Sequence, residues 1–359
     1  MRGESTTLSD LFGFDYFSCL RSDYAKSECS ICIDLCPEDA MVFDRSRLTL
    51  DTQKCTGCTA CVGGCPTEAL SSELFDPNRF AVEFPGRSGS MISCKENVPC
   101  LGALSVEHLI TIAIRSESGI VCDLSHCKEC PVNSNTLVLK SIESAIEEAQ
   151  EFLDAAGIKG RVSALRGASR SEADIGRRGL FKKLAGIASE IGEERTLGEI
   201  ASGERERVPL KRVLLKNALK AAAEEIDGAS ISGSGFSFAA AKKIDEQSCT
   251  NCQECAMFCP TGALSLLRDN SGIIFQSGKC IACGICDDIC RPGSIGTGAE
   301  IDLVDFAFDR MQLLVKHKLE ICEECKVAFP YRGGEMLCDR CRDFRENFSD
   351  IFTLAKDME

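Results

Sequence analysis

The stretch that decides the fold reads Cys55-Thr-Gly-Cys58-Thr-Ala-Cys61-Val-Gly-Gly-Cys65-Pro66-Thr-Glu-Ala-Leu70. A second stretch repeats it much later in the chain, as Cys249-Thr-Asn-Cys252-Gln-Glu-Cys255-Ala-Met-Phe-Cys259-Pro260-Thr-Gly-Ala-Leu264. Both have the spacing C-x2-C-x2-C-x3-C-P. The proline removes a backbone donor and prevents the loop from continuing as regular structure. The repetition indicates two versions of one metal-binding unit.

Cysteine usage points to metals and not to disulfides. The chain has 359 residues and 25 cysteines, which fall into four groups of eight, five, eight and four. The first twenty residues show no secretory signal, so we expect a cytoplasmic protein without structural disulfides. Metal binding is then the natural use for so many thiols.

Composition and charge exclude several classes of protein. The chain is 44% hydrophobic and 27% charged, which is ordinary for a globular protein. No apolar run approaches the roughly 18 residues of a membrane span. The net charge of −14 argues against nucleic-acid binding and suits docking to a basic patch on a partner protein.

The first and third groups resemble the two-cluster bacterial ferredoxin family, present twice, over residues 19–75 and 244–298. In such runs the fourth cysteine binds the other cluster. The resemblance implies four [4Fe–4S] clusters, and the alternative is zinc knuckles or buried thiols. The implied ligand sets are Cys249, Cys252, Cys255 and Cys290; Cys259, Cys280, Cys283 and Cys286; Cys36, Cys55, Cys58 and Cys61; and Cys29, Cys32 and Cys65 with Cys19.

Cys19 is the predicted fourth ligand of an irregular cluster. Lys26 stands where the leading cysteine of the run before Cys29 would fall, and lysine does not bind cubanes in this family. The segment Leu20–Glu28 is long enough to loop back, since an extended chain gains over 3 Å per residue. The alternative is a free thiol near the terminus.

The fourth group is two C-x2-C knuckles, formed by Cys322, Cys325, Cys338 and Cys341. No third nearby thiol and no Cys-Pro run accompanies them, so a cubane is disfavoured. Four thiolates from two facing knuckles suit a tetrahedral zinc site, as in zinc ribbons. Mononuclear iron of the rubredoxin type uses the same ligands, and unligated thiols are the third alternative.

Residues 80–158 predict an α/β insert. Their order of elements implies a small parallel sheet covered by helices. The expected elements are strands at Phe80–Phe84, Ser90–Cys94 and Gly119–Cys122, a helix at Leu104–Ile114, and a long helix from a cap at Asn135 through Ala156.

The insert is similar to the small iron–sulfur (delta) subunit of methyl-viologen-reducing hydrogenases, through a Pro-Cys before a helix and a later cysteine loop. The likeness implies one further iron–sulfur cluster on four of five cysteines. The alternative is an α/β domain with unligated thiols. The five candidates are Cys94, Cys100, Cys122, Cys127 and Cys130.

A basic segment connects the insert to the second cysteine repeat. Residues Arg177–Lys182 superficially resemble a twin-arginine signal, but charges interrupt what should be an apolar region, so we expect an amphipathic helix. Another helix is expected over Pro209–Ile226, followed by a Gly/Ser linker at Asp227–Ser237. The basic faces are either solvated or lie across the cluster-bearing modules or a partner.

The sequence therefore predicts an α+β multidomain protein. No catalytic constellation, P-loop or dinucleotide fingerprint is visible. The expected parts are a dicluster ferredoxin domain at 1–79, the α/β insert at 80–159, a basic helical linker at 160–243, a second dicluster domain at 244–300, and a zinc ribbon with a terminal helix at 301–359.

The predicted function is one-electron transfer by a polyferredoxin that serves a larger anaerobic-type oxidoreductase and is not an enzyme by itself. Candidate partners are a hydrogenase, a molybdenum or tungsten oxidoreductase, or a heterodisulfide-reductase-like complex. One alternative is an interaction or assembly protein in which clusters and zinc are structural. Another is an enzyme with a substrate-binding iron in the insert.

Overall fold

The computed structural model describes residues 12–24, 26–44, 47–84, 91–116, 119–133, 135–167 and 207–348. Short helices alternate with small sheets, and each sheet in these ranges has two or three strands. This mixture agrees with the α+β class predicted from the sequence. No helix in the described ranges is both long and apolar enough to cross a membrane.

The first unit carries the first eight cysteines on two antiparallel sheets and three short helices. Its elements are β1 Phe12–Phe14, α1 Leu20–Asp23, α2 Ile31–Asp34, β2 Met41–Asp44, β3 Arg47–Leu50, α3 Ala60–Gly64 and β4 Leu70–Ser72. Strand β1 pairs with β4, and β2 pairs with β3. Helix α3 ends at Cys65, whose backbone is extended because a proline follows it.

The insert has the predicted parallel sheet, with β6 between β5 and β7. Its elements are α4 Pro77–Glu83, β5 Met91–Ile92, α5 Val106–Arg115, β6 Ile120–Asp123, α6 Leu137–Ala155 and β7 Val162–Leu165. Thr136, and not Asn135, occupies the cap position of α6. The Asn135 side chain still accepts a hydrogen bond from the backbone N–H of Leu137, at 3.1 Å.

Two details of the insert differ from the prediction. The strand expected at Phe80–Phe84 is wrong, because this segment lies mostly in helix α4. Asp76 starts that helix by accepting hydrogen bonds from the N–H groups of Asn78 and Arg79, at 2.9 and 3.1 Å. At the C-terminal end of the insert, β7 lies beyond residue 159, so the sheet includes the first residues of the predicted linker.

The helix predicted at Pro209–Ile226 is α7, Leu210–Ala221. It does not lie on the surface. Leu215 and Leu219 are fully buried in a core that also contains Ile110 of α5 and Phe306 from the later part of the chain. The predicted helix at Arg177–Lys182 lies outside the described residues.

The second unit carries the second ferredoxin-like repeat. Its elements are β8 Ser230–Ser232, β9 Lys242–Ile244, α8 Glu254–Met257, β10 Leu264–Leu266, β11 Gly272–Phe275, α9 Ile285–Ile289, β12 Ile295–Thr297, β13 Glu300–Asp302, α10 Leu303–Ala307 and β14 Gln312–Lys316. The antiparallel pairs are β8–β13 and β9–β12, and β11 lies between β10 and β14. The expected linker at Asp227–Ser237 therefore contains a paired strand.

The ribbon is smaller than predicted. It consists of the antiparallel strands β15 Leu319–Ile321 and β16 Ala328–Pro330 and the helix α11 Asp339–Phe348. Residues 301–316, which were assigned to it, complete the second unit through β13, α10 and β14. Arg332 attaches the ribbon to that unit by donating hydrogen bonds to the carbonyls of Cys249 and Glu246, at 2.5 and 3.2 Å.

Candidate metal centres

Twenty cysteines of the described chain gather into five sets of four, which we number as centres in the order in which they neighbour one another. Centre 1 holds Cys94, Cys100, Cys127 and Cys130; centre 2 holds Cys36, Cys55, Cys58 and Cys61; centre 3 holds Cys19, Cys29, Cys32 and Cys65; centre 4 holds Cys259, Cys280, Cys283 and Cys286; and centre 5 holds Cys249, Cys252, Cys255 and Cys290. Centres 2 to 5 coincide with the ligand sets that the ferredoxin resemblance implies.

Centre 4 is an apolar cavity that all four of its cysteines line. Burial raises the pKa of the Cys283 thiol to about 11, and the thiols of Cys280 and Cys259 add to the rise. Such thiols ionise when a metal is bound to them. Four convergent cysteines in an apolar, enclosed space are the donor set that a [4Fe–4S] cluster requires.

Centre 3 has the same form in the first unit. Cys19, Cys29, Cys32 and Cys65 line one apolar cavity, and Cys19 occupies the cap position at the start of α1. Burial raises the pKa of Cys32 to about 12, and the other three thiols of the set add to the rise. The structure thus brings Cys19 to the place of the missing leading cysteine, while its role as a ligand stays a prediction.

Centres 2 and 5 are formed mainly by the two quoted runs. Burial raises the pKa of Cys255 to about 12, and the thiols of Cys252, Cys249 and Cys290 add to the rise. Burial also raises the pKa of Cys61, with contributions from the thiols of Cys58, Cys32, Cys36 and Cys55, of which Cys32 belongs to the neighbouring centre 3. In each set the fourth cysteine comes from the other run of its unit, as the crossed pairing requires.

Backbone N–H groups donate hydrogen bonds to three of these crossing cysteines. Ala40 donates to the Cys36 sulfur at 3.1 Å, and Ser294 donates to the Cys290 sulfur at 3.2 Å. Leu264 donates to the Cys259 sulfur at 3.5 Å. Hydrogen bonds to ligand sulfur stabilise negative charge there and adjust the reduction potential of a bound cluster.

Four of the five candidate cysteines of the insert come together in centre 1. Burial raises the pKa of Cys127 to about 12, and the thiols of Cys94 and Cys130 add to the rise. Cys94 and Cys127 act in the same direction on Cys100. Cys122 instead lies on β6 with its side chain fully buried in the hydrophobic core. We therefore remove Cys122 from the candidate ligands.

The ribbon site brings Cys322, Cys325, Cys338 and Cys341 together, with their four sulfurs within 4.8 Å of one another. The sulfurs of Cys325 and Cys338 are 3.7 Å apart. A tetrahedral site with metal–sulfur bonds of about 2.3 Å places its sulfurs about 3.8 Å apart. The site therefore has the dimensions for one ion, and both zinc and iron fit them.

The centres follow one another through direct contacts. Centre 1 lies against centre 2, because the turn Leu101–Ala103 after Cys100 contacts α3, and a Cβ at Gly63 would overlap the backbone of that turn. The Cys58 thiol of centre 2 contributes to the raised pKa of Cys100 in centre 1.

The two units meet between centres 3 and 4. Leu20 of the first unit packs in one apolar cluster with Ile281 and Ile285 of the second. Cys29 of centre 3 and Cys283 of centre 4 both lie against this cluster. Centres 4 and 5 share the second unit, and the Arg332 contact with Cys249 places the ribbon beside centre 5.

Sequence reasoning missed the burial of a basic pair on α7. Lys211 and Arg212 are 3% and 0% exposed, and they contact both units. The signal was present in the helix pattern. Arg212 precedes Leu215 and Leu219 by three and seven residues, so it lies on the apolar face of the helix.

Comparison with protein families agrees with this geometry. Residues 27–69 match a family model described as "4Fe-4S dicluster domain", and residues 241–291 match a second model with the same description. The comparison with curated proteins finds no match for the chain. The two predicted dicluster domains are thus confirmed, and they indicate an iron–sulfur protein of the electron-transfer kind.

Proposed function

We propose that this protein is a polyferredoxin-type subunit that relays electrons along centres 1 to 5 for a larger anaerobic-type oxidoreductase. The observation that carries the proposal is the contact between the two units, where Cys29 and Cys283 lie against one shared apolar cluster. The rate of electron tunnelling falls steeply with the distance between redox centres. Two dicluster domains whose ligand cysteines lie against one shared apolar cluster are therefore suited to pass electrons between units.

The residues of the chain support this role in three ways. Cysteines hold each cluster, and apolar side chains such as Phe14 and Phe275 enclose centres 3 and 4. Backbone N–H groups stabilise the charge on the ligand sulfurs. When bound, the clusters supply one-electron chemistry over a wide range of potentials.

The ends of the row are the proposed places of electron entry and exit. Cys252 of centre 5 is exposed, and the insert with centre 1 forms the other end. We propose a hydrogenase, a molybdenum or tungsten oxidoreductase, or a heterodisulfide-reductase-like complex as the partner. The net charge of −14 supports docking to a basic patch on it. For the ribbon we propose structural zinc.

Anaerobic reconstitution of the full chain tests the proposal. Four cubanes in centres 2 to 5 contain about 16 iron atoms, a fifth in centre 1 brings the number to about 20, and the ribbon adds about one zinc. The iron of centre 1 should disappear in a Cys100→Ser variant and persist in the matched Cys122→Ser control. We expect a low-potential donor to reduce the clusters reversibly. Clusters that are present but cannot be reduced would favour the structural alternative.

A further inference from the structure

Two neighbouring residues of α7 reach the ligand cysteines of both units. The Lys211 ammonium donates a hydrogen bond to the carbonyl of Cys65 in centre 3, at 2.6 Å. The Arg212 guanidinium donates to the carbonyl of Cys280 in centre 4, also at 2.6 Å. One helix turn therefore places one cation beside each of the two centres that face each other across the unit boundary.

The position of Arg212 is fixed by contacts on every side. Its side chain is fully buried, its Nε donates to the Glu107 carboxylate at 2.6 Å, and its Nη2 donates to the Phe238 carbonyl. The guanidinium also lies 5.1 Å from the centre of the Phe306 ring. Such a planar, forked cation cannot be replaced in its geometry by lysine.

The two cations share one carboxylate as a counter-ion. Glu107 of the insert pairs with both, at 2.6 Å from Arg212 and 3.8 Å from Lys211. Glu68 accepts hydrogen bonds from the first N–H groups of α7. At centre 4, Lys242 adds a further cation, paired with Asp287 at 2.6 Å.

The hydrogen bond from Arg212 to the Cys280 carbonyl holds the guanidinium charge beside the backbone of a centre 4 cysteine. This charge would stabilise additional negative charge on a bound cluster, because charges in a low-dielectric interior interact strongly.

We propose that Lys211 and Arg212 raise the reduction potentials of centres 3 and 4, respectively, and so favour an electron at the boundary between the two units. The inference rests on the proposed function. The step is the addition of one electron from a low-potential donor to an oxidised cluster. No protein bond breaks, and no proton is transferred.

The test is a redox titration of the reconstituted full chain, followed by EPR. Signals of centres 3 and 4 are assigned with Cys29→Ser and Cys283→Ser variants. We expect Arg212→Gln to lower the reduction equilibrium constant of centre 4 about tenfold, or about 59 mV for one electron, and to leave centre 3 nearly unchanged. Lys211→Gln should give the reverse pattern.

Lys216→Gln is the matched control. Lys216 is a buried lysine of the same helix, but its ammonium bonds to Asp309 at 2.6 Å and not to the backbone of a ligand cysteine, so both potentials should remain as in the parent. If Arg212→Gln does not fold, Arg212→Lys keeps the charge and should keep the potential of centre 4 within about threefold. A loss as large as that expected for glutamine would overturn the proposal.

Unchanged potentials in folded Arg212→Gln and Lys211→Gln variants would also overturn it, as would equal shifts of both centres in each variant. Either result leaves the proposed function standing, because the parent clusters would still be reduced reversibly. A parent protein whose clusters cannot be reduced would instead contradict both the proposed function and this inference.

Discussion

The two units solve the same ligand problem differently. In the second unit, centre 4 takes all its cysteines from the two regular runs, including Cys280 and Cys259. In the first unit, Lys26 replaces the leading cysteine, and Cys19 reaches centre 3 from the start of α1. The comparison teaches that a ligand set is defined by which sulfurs converge on a cavity, and that spacing is one way among others to achieve this.

The units also differ in how they are attached. The second unit shares a hydrophobic core with the insert and α7, through side chains such as Phe306 and Ile301. The first unit has a small core of its own around Met41 and Leu70. Apolar contacts of Ala60 and Leu20 and polar contacts such as the hydrogen bond from Lys211 to Cys65 tie it to its neighbours.

The largest effect should follow from removing a regular ligand. We expect Cys280→Ala to lose about four iron atoms, because the buried thiol belongs to centre 4 and no other cysteine lines that cavity to replace it. Iron analysis and EPR measure the loss, and Cys122→Ala is the control for a buried cysteine outside the centres. An iron content equal to that of the parent would contradict the assignment of centre 4.

Loss of the ribbon metal should affect stability near the second unit alone. We expect Cys322→Ser or Cys341→Ser to expose the ribbon to proteolysis and to leave the cluster spectrum unchanged, since structural zinc contributes folding free energy and no redox chemistry. Limited proteolysis and EPR are the measurements. A changed EPR signal in either variant would point to iron at this site.

The irregular ligand should give a smaller effect than the regular one. We expect Cys19→Ala to lose about one iron atom and to produce a three-iron signal, with the other clusters intact, because Cys19 comes from outside the runs and the run cysteines of the set, Cys29, Cys32 and Cys65, all remain. EPR of the anaerobically purified variant decides it. A spectrum and an iron count that match the parent would mean that Cys19 is a free thiol.

The smallest effect concerns the joint between the first unit and the insert. His108 bonds to Asn78 at 3.1 Å, and Asn78 in turn bonds to Glu68 at 2.8 Å. Burial lowers the pKa of His108 to about 3, so the native state holds it neutral.

The unfolded chain binds a proton at His108 below about pH 6.5, whereas the folded chain does so only near pH 3. The stability that the neutral, buried His108 contributes is complete above pH 6.5 and decreases as the pH falls towards 3. Between pH 7 and pH 5 it should decrease by about 2 kcal/mol. Denaturant unfolding of the parent and a His108→Gln variant checks this, and equal pH dependence of the two would contradict it.

Much of the site could be predicted because cubane ligation imposes strict spacing. The runs from Cys55 and Cys249 identified both dicluster domains, which the family models confirm. The position of Cys19 was expected because no other cysteine was left to fill the set. In contrast, the sequence could not show which four of the five insert cysteines converge. Cys122 differs from the others only in that its strand directs it into the core.

The remaining errors have one partly local and one long-range cause. Phe80–Phe84 has strand-like residues, but the cap at Asp76 and the contacts of α4 with α5 favour a helix. The basic residues of α7 left open a solvated face or a contact across the cluster-bearing modules, and the structure shows the contact. Their partners Glu107 and Cys65 lie more than a hundred residues earlier in the chain, so no local pattern could reveal them.

The lateness of α7 in the chain also has a consequence for biosynthesis. Glu68 contacts the N–H of Leu210, which follows it by 142 residues. At about 5–20 residues per second, the ribosome needs roughly 7–28 s to make that interval. Throughout this time the first unit can already bind its iron, whereas the contacts of Glu68 and Cys65 with α7 are still missing. Cofactor insertion into the first unit can therefore precede the docking of α7 against it.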